Sequence, residues 1–247
     1  MKIIHIKDFL KEHQIALEDI SLGDFDYIGE YTAKKNRSTD SPLFKSVGCF
    51  FRPNYERGLL IYSLIKKYNL QSYLEIGFGR GYSVLCAAKA LADIGASGQA
   101  VSIEPNIDEN LMKMLQSTMQ PDWLQKMRIM KGFSQQVLPT LTNEKFDFVY
   151  IDGDHRAPAV KSDWEGVNGM WNAFCLFDDY HLPTKKEADI ECAQVIDSII
   201  LPEHQTKELV RLDRRIFLDD RGYTDSQIDY GQVLVTDHNY LKKLNEW

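Results

Sequence analysis

Residues 72–92 read SYLEIGFGRGYSVLCAAKALA, and this stretch decides the fold class. A short, mainly apolar run, Tyr73–Ile76, stops at a glycine, as a buried strand does. Gly77, Gly79 and Gly81 alternate with larger residues, which predicts a tight turn whose backbone comes close to a ligand. Beyond the turn, apolar residues recur at helical spacing. Strand, glycine turn and helix together predict the first unit of a nucleotide-binding α/β sheet.

The residues around the turn indicate which nucleotide it would bind. A dinucleotide site has the pattern G-x-G-x-x-G, and its third glycine falls where Tyr82 stands here. Glu75 places a carboxylate directly before the turn, where it would repel a pyrophosphate and attract a cationic ligand with an α-amino group. S-adenosylmethionine (SAM) carries a sulfonium and an ammonium and no phosphate, so the turn favours SAM. A glycine turn that serves packing alone is the alternative.

The composition excludes several classes of protein. Hydrophobic residues make up 44% and charged residues 26% of the 247 residues, as in ordinary globular proteins. The net charge of -7 argues against a broad nucleic-acid surface. The four cysteines form no C-x-x-C pair, so neither a zinc site nor a disulfide framework is expected. Early charges exclude a signal peptide, and no apolar run approaches membrane-spanning length. We therefore expect a cytoplasmic protein without a membrane or nucleic-acid partner.

The chain divides into an N-terminal segment and one large domain. Residues 1–55 lack a repeating α/β pattern and are rich in aromatics, which suits a cap or lid over a pocket, although irregular packing on the core is an alternative. Residues 56–247 show strands that alternate with helices, which predicts a Rossmann-like, doubly wound, mostly parallel α/β sheet of seven strands. Five are parallel, at 73–76, 99–103, 127–130, 146–151 and 173–177, and two close the sheet, at 209–218 and 232–236. The closing strands, one or both antiparallel, would offer an edge for a homodimer.

In such sheets ligands bind beyond the carboxyl ends of the strands, and all five parallel strands here end in polar residues. Glu104 ends the second strand, where a carboxylate can accept the hydroxyls of a ribose; stabilisation by a helix dipole is the alternative. Ser134 and Gln135 follow the third strand and would border the adenine, although Ser134 is also placed to cap a helix.

The fourth and fifth strands end in acidic residues. Asp152, Asp178 and Asp179 are expected to converge from adjacent strand ends, and clustered carboxylates repel one another unless a cation is present. Oxygen ligands favour Mg²⁺, with helix capping by each aspartate as the alternative. His155, three residues past Asp152, can take a proton at neutral pH, whereas an ordinary surface histidine is the other interpretation. His181 is a weaker candidate.

Five segments in this order resemble the class I SAM-dependent methyltransferases, over about residues 53–181. They are LEIGFGRGYS (74–83), VSIEP (101–105), GFSQQ (132–136), FVYIDGDH (148–155) and LFDDYH (176–181). The chain looks most like the metal-dependent O-methyltransferases of the catechol and macrolide-sugar groups. The resemblance implies that the turn Glu75–Gly81 and Ser83 hold the methionine end of SAM. It also implies that Glu104 holds the ribose and that Ser134 and Gln135 hold the adenine edge.

The resemblance assigns Asp152, Asp178 and Asp179 to the metal, with Asp152 also beside the cofactor. The catechol enzymes have Asp-Asn where this chain has Asp178-Asp179, which is closer to the sugar-modifying group. They place a lysine base where this chain has His155, so His155, together with Asp152, becomes the catalytic candidate.

The function that this resemblance implies is a Mg²⁺-dependent SAM O-methyltransferase acting on a hydroxyl of a small molecule or sugar, most simply a vicinal diol. Three alternatives stay open. They are metal-free methylation with His155 as the base, a non-catalytic SAM-binding protein, and a nicotinamide-dependent oxidoreductase. Glu75 and Tyr82 oppose the last of these.

Overall fold

The computed structural model describes residues 1–16, 20–32, 34–35, 50–51, 55–181, 191–212 and 230–246. The strands are β1 (Lys2–His5), β2 (Lys34–Lys35), β3 (Phe50–Phe51), β4 (Tyr73–Ile76), β5 (Ala100–Glu104), β6 (Met127–Lys131), β7 (Phe146–Ile151), β8 (Trp171–His181), β9 (Gln205–Arg211) and β10 (Tyr230–Asp237). The helices are α1 (Ile6–Glu12), α2 (Leu22–Thr32), α3 (Tyr55–Lys67), α4 (Tyr82–Asp93), α5 (Glu109–Thr118), α6 (Pro121–Gln125), α7 (Ser134–Val137), α8 (Ala157–Val167), α9 (Cys192–Ser198) and α10 (His238–Asn245), with a 3₁₀ turn at Leu138–Leu141.

Eight strands form one sheet in the order β1-β9-β10-β8-β7-β4-β5-β6. The pairs β4–β5, β4–β7, β5–β6 and β7–β8 are parallel, whereas β10 is antiparallel to both β8 and β9. Strand β4 lies at the point where the strand order reverses, with β5 on one side and β7 on the other. Such a switch point forms the crevice in which α/β sheets bind ligands. The predicted doubly wound, mostly parallel α/β fold is confirmed.

The sheet has one strand more than the seven expected, because β1 joins it. β1 runs parallel to β9, with Lys2 opposite Glu208 and His5 opposite Arg211. Its four residues are too few to show the alternation of apolar and polar side chains that predicts a strand, and α1 begins directly after it.

The expectation that the closing strands provide a free edge is wrong. β10 lies between β8 and β9, and β1 covers β9, so within the described residues β1 and β6 are the outer strands. The strand expected at 209–218 occupies Gln205–Arg211, and residues 213–218 lie outside the described part.

Only parts of the N-terminal segment are described. Within it, α2 packs on α3 and α4, and β2 pairs with β3. Residues 33, 36–49 and 52–54 lie outside the described part, so the division of the chain at residue 55 stays a prediction. Among the helices that are described, none has the length and apolar character needed to cross a bilayer.

The close packing of α3 on α4 brings α3 over the binding edge of the sheet. A Cβ atom built on Gly58 of α3 would lie 2.6 Å from Cys86 Sγ and 2.6 Å from Tyr82 Oη, so a larger residue would separate the two helices. α4 itself is buried along almost its whole length, through residues such as Val84, Leu85 and Ala88. Arg57, on α3, therefore contacts Asp152 after β7 and Asp178 in β8.

Candidate active site

The glycine turn after β4 has the backbone that the sequence predicts. Gly77, Gly79 and Gly81 adopt φ angles of 97°, 52° and 84°, in the left-handed region that favours glycine. A Cβ on Gly77 would lie 2.1 Å from the carbonyl oxygen of Asp152, whereas one on Gly79 would meet no atom within 4 Å. Gly77 thus brings the turn against the end of β7, and Gly79 leaves space in front of the turn.

Glu104 faces the glycine turn from the end of β5. Its Oε2 accepts hydrogen bonds from the backbone N–H groups of Phe78, at 3.2 Å, and of Gly79, at 3.4 Å. Its Oε1 accepts from the N–H of Asn106 at 2.8 Å. The carboxylate expected to hold a ribose therefore lies beside the turn, and its hydrogen bonds fix the positions of two backbone N–H groups of the turn.

Glu75 lies beneath the turn rather than in front of it. Its side chain is 1% exposed and accepts hydrogen bonds from Tyr73 Oη at 2.9 Å and Ser102 Oγ at 3.1 Å. Burial raises the pKa of the Glu75 carboxyl to about 8, although these two donors oppose the rise. Glu75 is therefore mainly neutral at pH 7 and supports the turn within the sheet.

The serines and the glutamine assigned to the cofactor lie around the same end of the sheet. Ser83 is buried in the first turn of α4. Ser134, at the start of α7, donates its hydroxyl hydrogen bond to Asp163 Oδ1 of α8 at 2.5 Å. Burial raises the pKa of Asp163 to about 6, against the effect of this bond. Gln135 is exposed.

Phe133 is a residue at this end that sequence reasoning missed. It follows Gly132 at the end of β6 and is 58% exposed, one of the large apolar side chains left open to solvent. An aromatic directly before the two predicted adenine residues was visible in the segment GFSQQ. The sequence did not indicate that Phe133 is exposed, because an apolar residue after a strand is usually buried.

Asp152, His155 and Asp179 converge at the ends of β7 and β8. One donor atom from each of the three lies within 4.8 Å of the others. His155 Nδ1 is 3.2 Å from Asp179 Oδ2. Their side chains stay partly exposed, at 17% for Asp152, 35% for His155 and 20% for Asp179. Burial and the neighbouring Asp178 raise the pKa of the Asp152 carboxyl above its usual range, while Arg57 opposes the rise.

Asp178 is not one of these three residues, although it was expected with them, but it lies beside Asp152. It is 2% exposed and forms an ion pair with Arg57 Nη2, and its Oδ1 accepts from Gln232 Nε2 at 3.1 Å. Arg57 Nη1 also lies 3.1 Å from Asp152 Oδ2, so one guanidinium bridges the two carboxylates. Arg57 was missed because an arginine within a helix carries no signal of its partners. The side chain of His181, at the end of β8, lies outside the described residues.

The arrangement has the donor groups for a SAM molecule and for a divalent cation. Gly77, Gly79 and Gly81 form a turn with open space in front of it, as a methionine-bearing ligand needs. The Asp152 and Asp179 carboxylates present partly exposed oxygen ligands of the kind that Mg²⁺ prefers. The imidazole of His155 suits proton transfer.

Comparison with known proteins supports a methyltransferase. Residues 74–180 match a family described as a methyltransferase domain. An O-methyltransferase, TomG, from Streptomyces achromogenes, involved in tomaymycin synthesis and crystallised with SAM, is 17% identical, with 86% of this chain and 88% of that chain covered and a TM-score of 0.58. An O-methyltransferase from Bacillus cereus in complex with S-adenosylhomocysteine (SAH) is 14% identical over 94% of this chain and 99% of that chain, with a TM-score of 0.59. The SAH-bound methyltransferase PaMTH1 of Podospora anserina is 15% identical over 86% of each chain, with a TM-score of 0.54.

A search of curated protein sequences gave no match. At these identities the solved structures establish the fold, while the family match identifies the domain. The matched residues 74–180 contain the five segments singled out in the sequence, apart from His181. Residues 74–180 therefore match a methyltransferase domain, and the chain has the fold of methyltransferases whose structures were solved with SAM or SAH.

Proposed function

We propose that the chain is an O-methyltransferase that transfers the methyl group of SAM to a hydroxyl of a small molecule or sugar, with a vicinal diol as the preferred acceptor. The observation that carries the proposal is the convergence of Asp152, His155 and Asp179 at strand ends next to the glycine turn. Solved relatives named as O-methyltransferases support an oxygen acceptor. The methyltransferase match removes the nicotinamide-dependent alternative.

The cofactor residues keep the roles that the resemblance implies. SAM supplies a methyl group on a sulfonium, which is already a good electrophile. The turn from Gly77 to Gly81 and Ser83 hold its methionine end, Glu75 supports this turn from beneath, and Glu104 holds the ribose. To do so, Glu104 exchanges its hydrogen bonds with the turn for bonds to the ribose hydroxyls. Ser134 and Gln135 border the adenine.

His155 removes the proton from the acceptor hydroxyl. With Nδ1 next to Asp179, the Nε2 atom is the nitrogen left to take that proton. The Asp179 carboxylate holds the ring in this orientation and stabilises the imidazolium that forms, as a carboxylate does for a histidine base in other enzymes. The chain thus provides a base and its orienting group beside the cofactor turn.

Asp152 and Asp179 would hold a divalent cation, Mg²⁺ by preference. Mg²⁺ is commonly bound by one or two carboxylates plus substrate oxygens, which suits these two residues and a diol. The cation supplies charge that lowers the pKa of an acceptor hydroxyl and fixes its position. Asp178, the third ligand that the sequence indicates, contacts Arg57 and Gln232, and its role as a ligand stays a prediction.

The test is a calorimetric titration of Mg²⁺ into protein saturated with SAH. Stoichiometric binding that is lost in Asp179→Ala, with unchanged SAH affinity, is expected. Asp154→Ala is a matched control, because Asp154 lies in the same turn after β7 but pairs with Arg156. Parallel assays with catechol, a sugar diol and a simple alcohol then define the acceptor. Simultaneous loss of SAH and Mg²⁺ binding in Asp179→Ala would contradict separate roles.

A metal-free methyltransferase is the second candidate, and one contact favours it. Arg57 already places a positive charge between Asp152 and Asp178. If the wild-type protein binds SAH and methylates an alcohol but does not bind Mg²⁺, His155 acts as the base alone.

A further inference from the structure

Helix α2 of the N-terminal segment runs back along α4 and ends at the glycine turn. Near the start of α2, Asp24 forms an ion pair with Lys89, in the second half of α4, at 3.0 Å. At the last residue of α2, the carbonyl oxygen of Thr32 accepts a hydrogen bond from Nε of Arg80 at 2.7 Å. Arg80 belongs to the glycine turn itself. One end of α2 therefore contacts the far part of α4, and the other end contacts the turn that would hold the cofactor.

The bond from Arg80 supplies a partner that α2 lacks within its own sequence. The last carbonyl groups of a helix have no partner inside the helix, and a positive charge near them is stabilising. The last turn of α2 contains no basic residue. Thr32 is 2% exposed, and a buried carbonyl without a hydrogen bond costs free energy. Arg80 therefore provides both the donor and the charge from another element.

Two further contacts hold α2 in place away from the turn. Tyr27 Oη donates a hydrogen bond to the carbonyl oxygen of Thr118, at the end of α5. Phe25 is 2% exposed, and its ring packs edge-on against Tyr62 of α3, with the ring centroids 5.3 Å apart. Because α2 is held against three helices, Arg80 bonds to a fixed point of the protein.

The glycine turn is restrained by side chains from two elements. Glu104 accepts hydrogen bonds from the backbone N–H groups of Phe78 and Gly79, and Arg80 ties the turn to α2. In the proposed function, Glu104 exchanges its bonds with the turn for bonds to the ribose. The carbonyl group of Thr32 has no role in that exchange. The bond between Arg80 and Thr32 can therefore persist when the cofactor is bound.

We propose that Arg80 is a positioning residue, whose Nε–H bond ties the glycine turn to α2 and makes the affinity for the cofactor depend on the docking of that helix. The inference rests on the proposed function, because it concerns the cofactor that the turn would hold. Coupling between two sites is reciprocal. If docked α2 favours the conformation of the turn that binds the cofactor, the bound cofactor must stabilise the docking of α2 by the same factor.

The first test compares Arg80→Met with Arg80→Gln by calorimetric titration of SAH. The amide nitrogen of glutamine lies the same number of bonds from Cα as Nε of arginine, so Arg80→Gln keeps a donor for Thr32 and Arg80→Met does not. Arg80→Met is expected to weaken SAH binding by at least about fivefold, and Arg80→Gln by less than about twofold. Arg128→Met is the control, since Arg128 pairs with Glu144 from the outer strand β6 and should leave SAH affinity unchanged.

The second test releases α2 without changing the turn. Asp24→Asn/Tyr27→Phe removes contacts of α2 with α4 and α5, while Lys89 keeps its ion pair with Asp93 at 2.7 Å. This variant is expected to weaken SAH binding by at least about threefold, although neither residue lies in the turn. Combined with Arg80→Met, it should add less than about twofold, because both changes break the same link.

Hydrogen exchange gives a readout that a merely structural role of Arg80 would not change. In the wild-type protein, saturating SAH is expected to slow the exchange of the α2 amides, residues 22–32, by at least about fivefold. In Arg80→Met, also saturated with SAH, the exchange of these amides should be the same with and without the ligand. The comparison measures the coupling from the side of the helix.

Three results would overturn the inference. They are wild-type SAH affinity in Arg80→Met, equal weakening by Arg80→Met and Arg80→Gln, and additive losses in the combined variant. If Arg80→Met does not fold, as judged by circular dichroism, the Asp24→Asn/Tyr27→Phe variant and hydrogen exchange of the wild-type protein decide the question. Unchanged SAH affinity in that variant, or α2 exchange that SAH does not slow, would then contradict the coupling.

The outcomes also separate this inference from the proposed function. A wild-type protein that does not bind SAH would contradict the proposed function, and the inference with it. A wild-type protein that binds SAH, with the same affinity as all the α2 and Arg80 variants, would contradict the inference alone.

Discussion

At the glycine-turn end of the binding edge, Glu75, Glu104 and Ser134 bond to other groups of the protein, whereas at the β7–β8 end Asp152 and Asp179 stay partly exposed. The first end is ordered by its own hydrogen bonds, so a cofactor that binds there must exchange bonds, above all those of Glu104. The second end has an imidazole and two carboxylates that stay partly exposed while they contact one another or Arg57. The polar residues at one end of this edge therefore support the turn through hydrogen bonds, whereas those at the other end stay partly exposed.

The largest expected effect concerns Glu75, the buried acid of the ordered end. Because folding raises its pKa from 4.5 to about 8, the folded protein keeps the proton, and the free energy of unfolding falls as the pH rises through this window. Glu75→Gln fixes the neutral state. Between about pH 5 and about pH 9 the wild-type protein should lose on the order of 4 kcal/mol more than this variant.

The measurement is urea unfolding of both proteins without SAM at the two pH values. Stability that falls equally in both would show that Glu75 is ionised in the folded protein, and the ordered end would then carry a negative charge beneath the turn.

His155→Gln tests the reactive end. Loss of a general base should lower kcat by about 10²- to 10⁴-fold, with SAH affinity unchanged, because the ring lies outside the glycine turn. His204→Gln is the matched control, since His204 also faces a carboxylate, Asp237, but at the opposite edge of the sheet. Steady-state kinetics and SAH titration decide the outcome. A joint loss of SAH binding and activity in the first variant would place His155 in the cofactor site.

Gly77→Ala and Gly79→Ala compare two positions within the ordered end. Both have positive φ angles, but only a Cβ on Gly77 collides with backbone, the Asp152 carbonyl at 2.1 Å. Gly77→Ala should lower the free energy of unfolding by about 3 kcal/mol, and Gly79→Ala by about 1 kcal/mol from backbone strain alone. Thermal unfolding and SAH binding measure both. Equal destabilisation by the two changes would mean that contact with β7 does not constrain the turn.

Much of the fold and of the site could be predicted from sequence, because local signals carry it. β7 begins and ends at the predicted residues, Phe146 and Ile151, since a mainly apolar run (FDFVYI) bounded by polar residues indicates a buried strand. The glycine turn was equally local. β1 could not be predicted from the local sequence. Its four residues form a strand only because they pair with β9, which lies far away in the sequence. Arg57 was missed for the same reason, because its two partners, Asp152 after β7 and Asp178 in β8, lie far from it in the sequence.

Ser134 illustrates a smaller gap. Its place after β6 was read correctly, but its hydroxyl bonds to Asp163, a partner on α8 that no spacing in the sequence indicates. The sequence therefore located the residues of the binding edge better than it located their hydrogen bonds.

Ser134→Ala has the smallest expected effect, and it tests whether Ser134 belongs to the part of the sheet that is ordered by hydrogen bonds. It removes the hydroxyl donor of the buried Asp163 and should lower the free energy of unfolding by about 1–2 kcal/mol. Gln135→Ala, at the exposed neighbouring position, should change it by less than about 0.5 kcal/mol. Denaturant unfolding compares the two. A larger effect from Gln135→Ala than from Ser134→Ala would contradict the stabilising role of the bond between Ser134 and Asp163.

The pairing of β1 with β9 also bears on how the chain is made. Lys2 lies opposite Glu208, so β1 leaves the ribosome about 200 residues before its partner strand exists. Closing so long a loop is entropically unfavourable and slow, which places this pairing among the last steps of folding. Until then β10 can pair with β8 but β9 has an open side, and a nascent chain is exposed to wrong pairing there. Among the described strands of the sheet, β1 is thus the one that stays unpaired longest during synthesis.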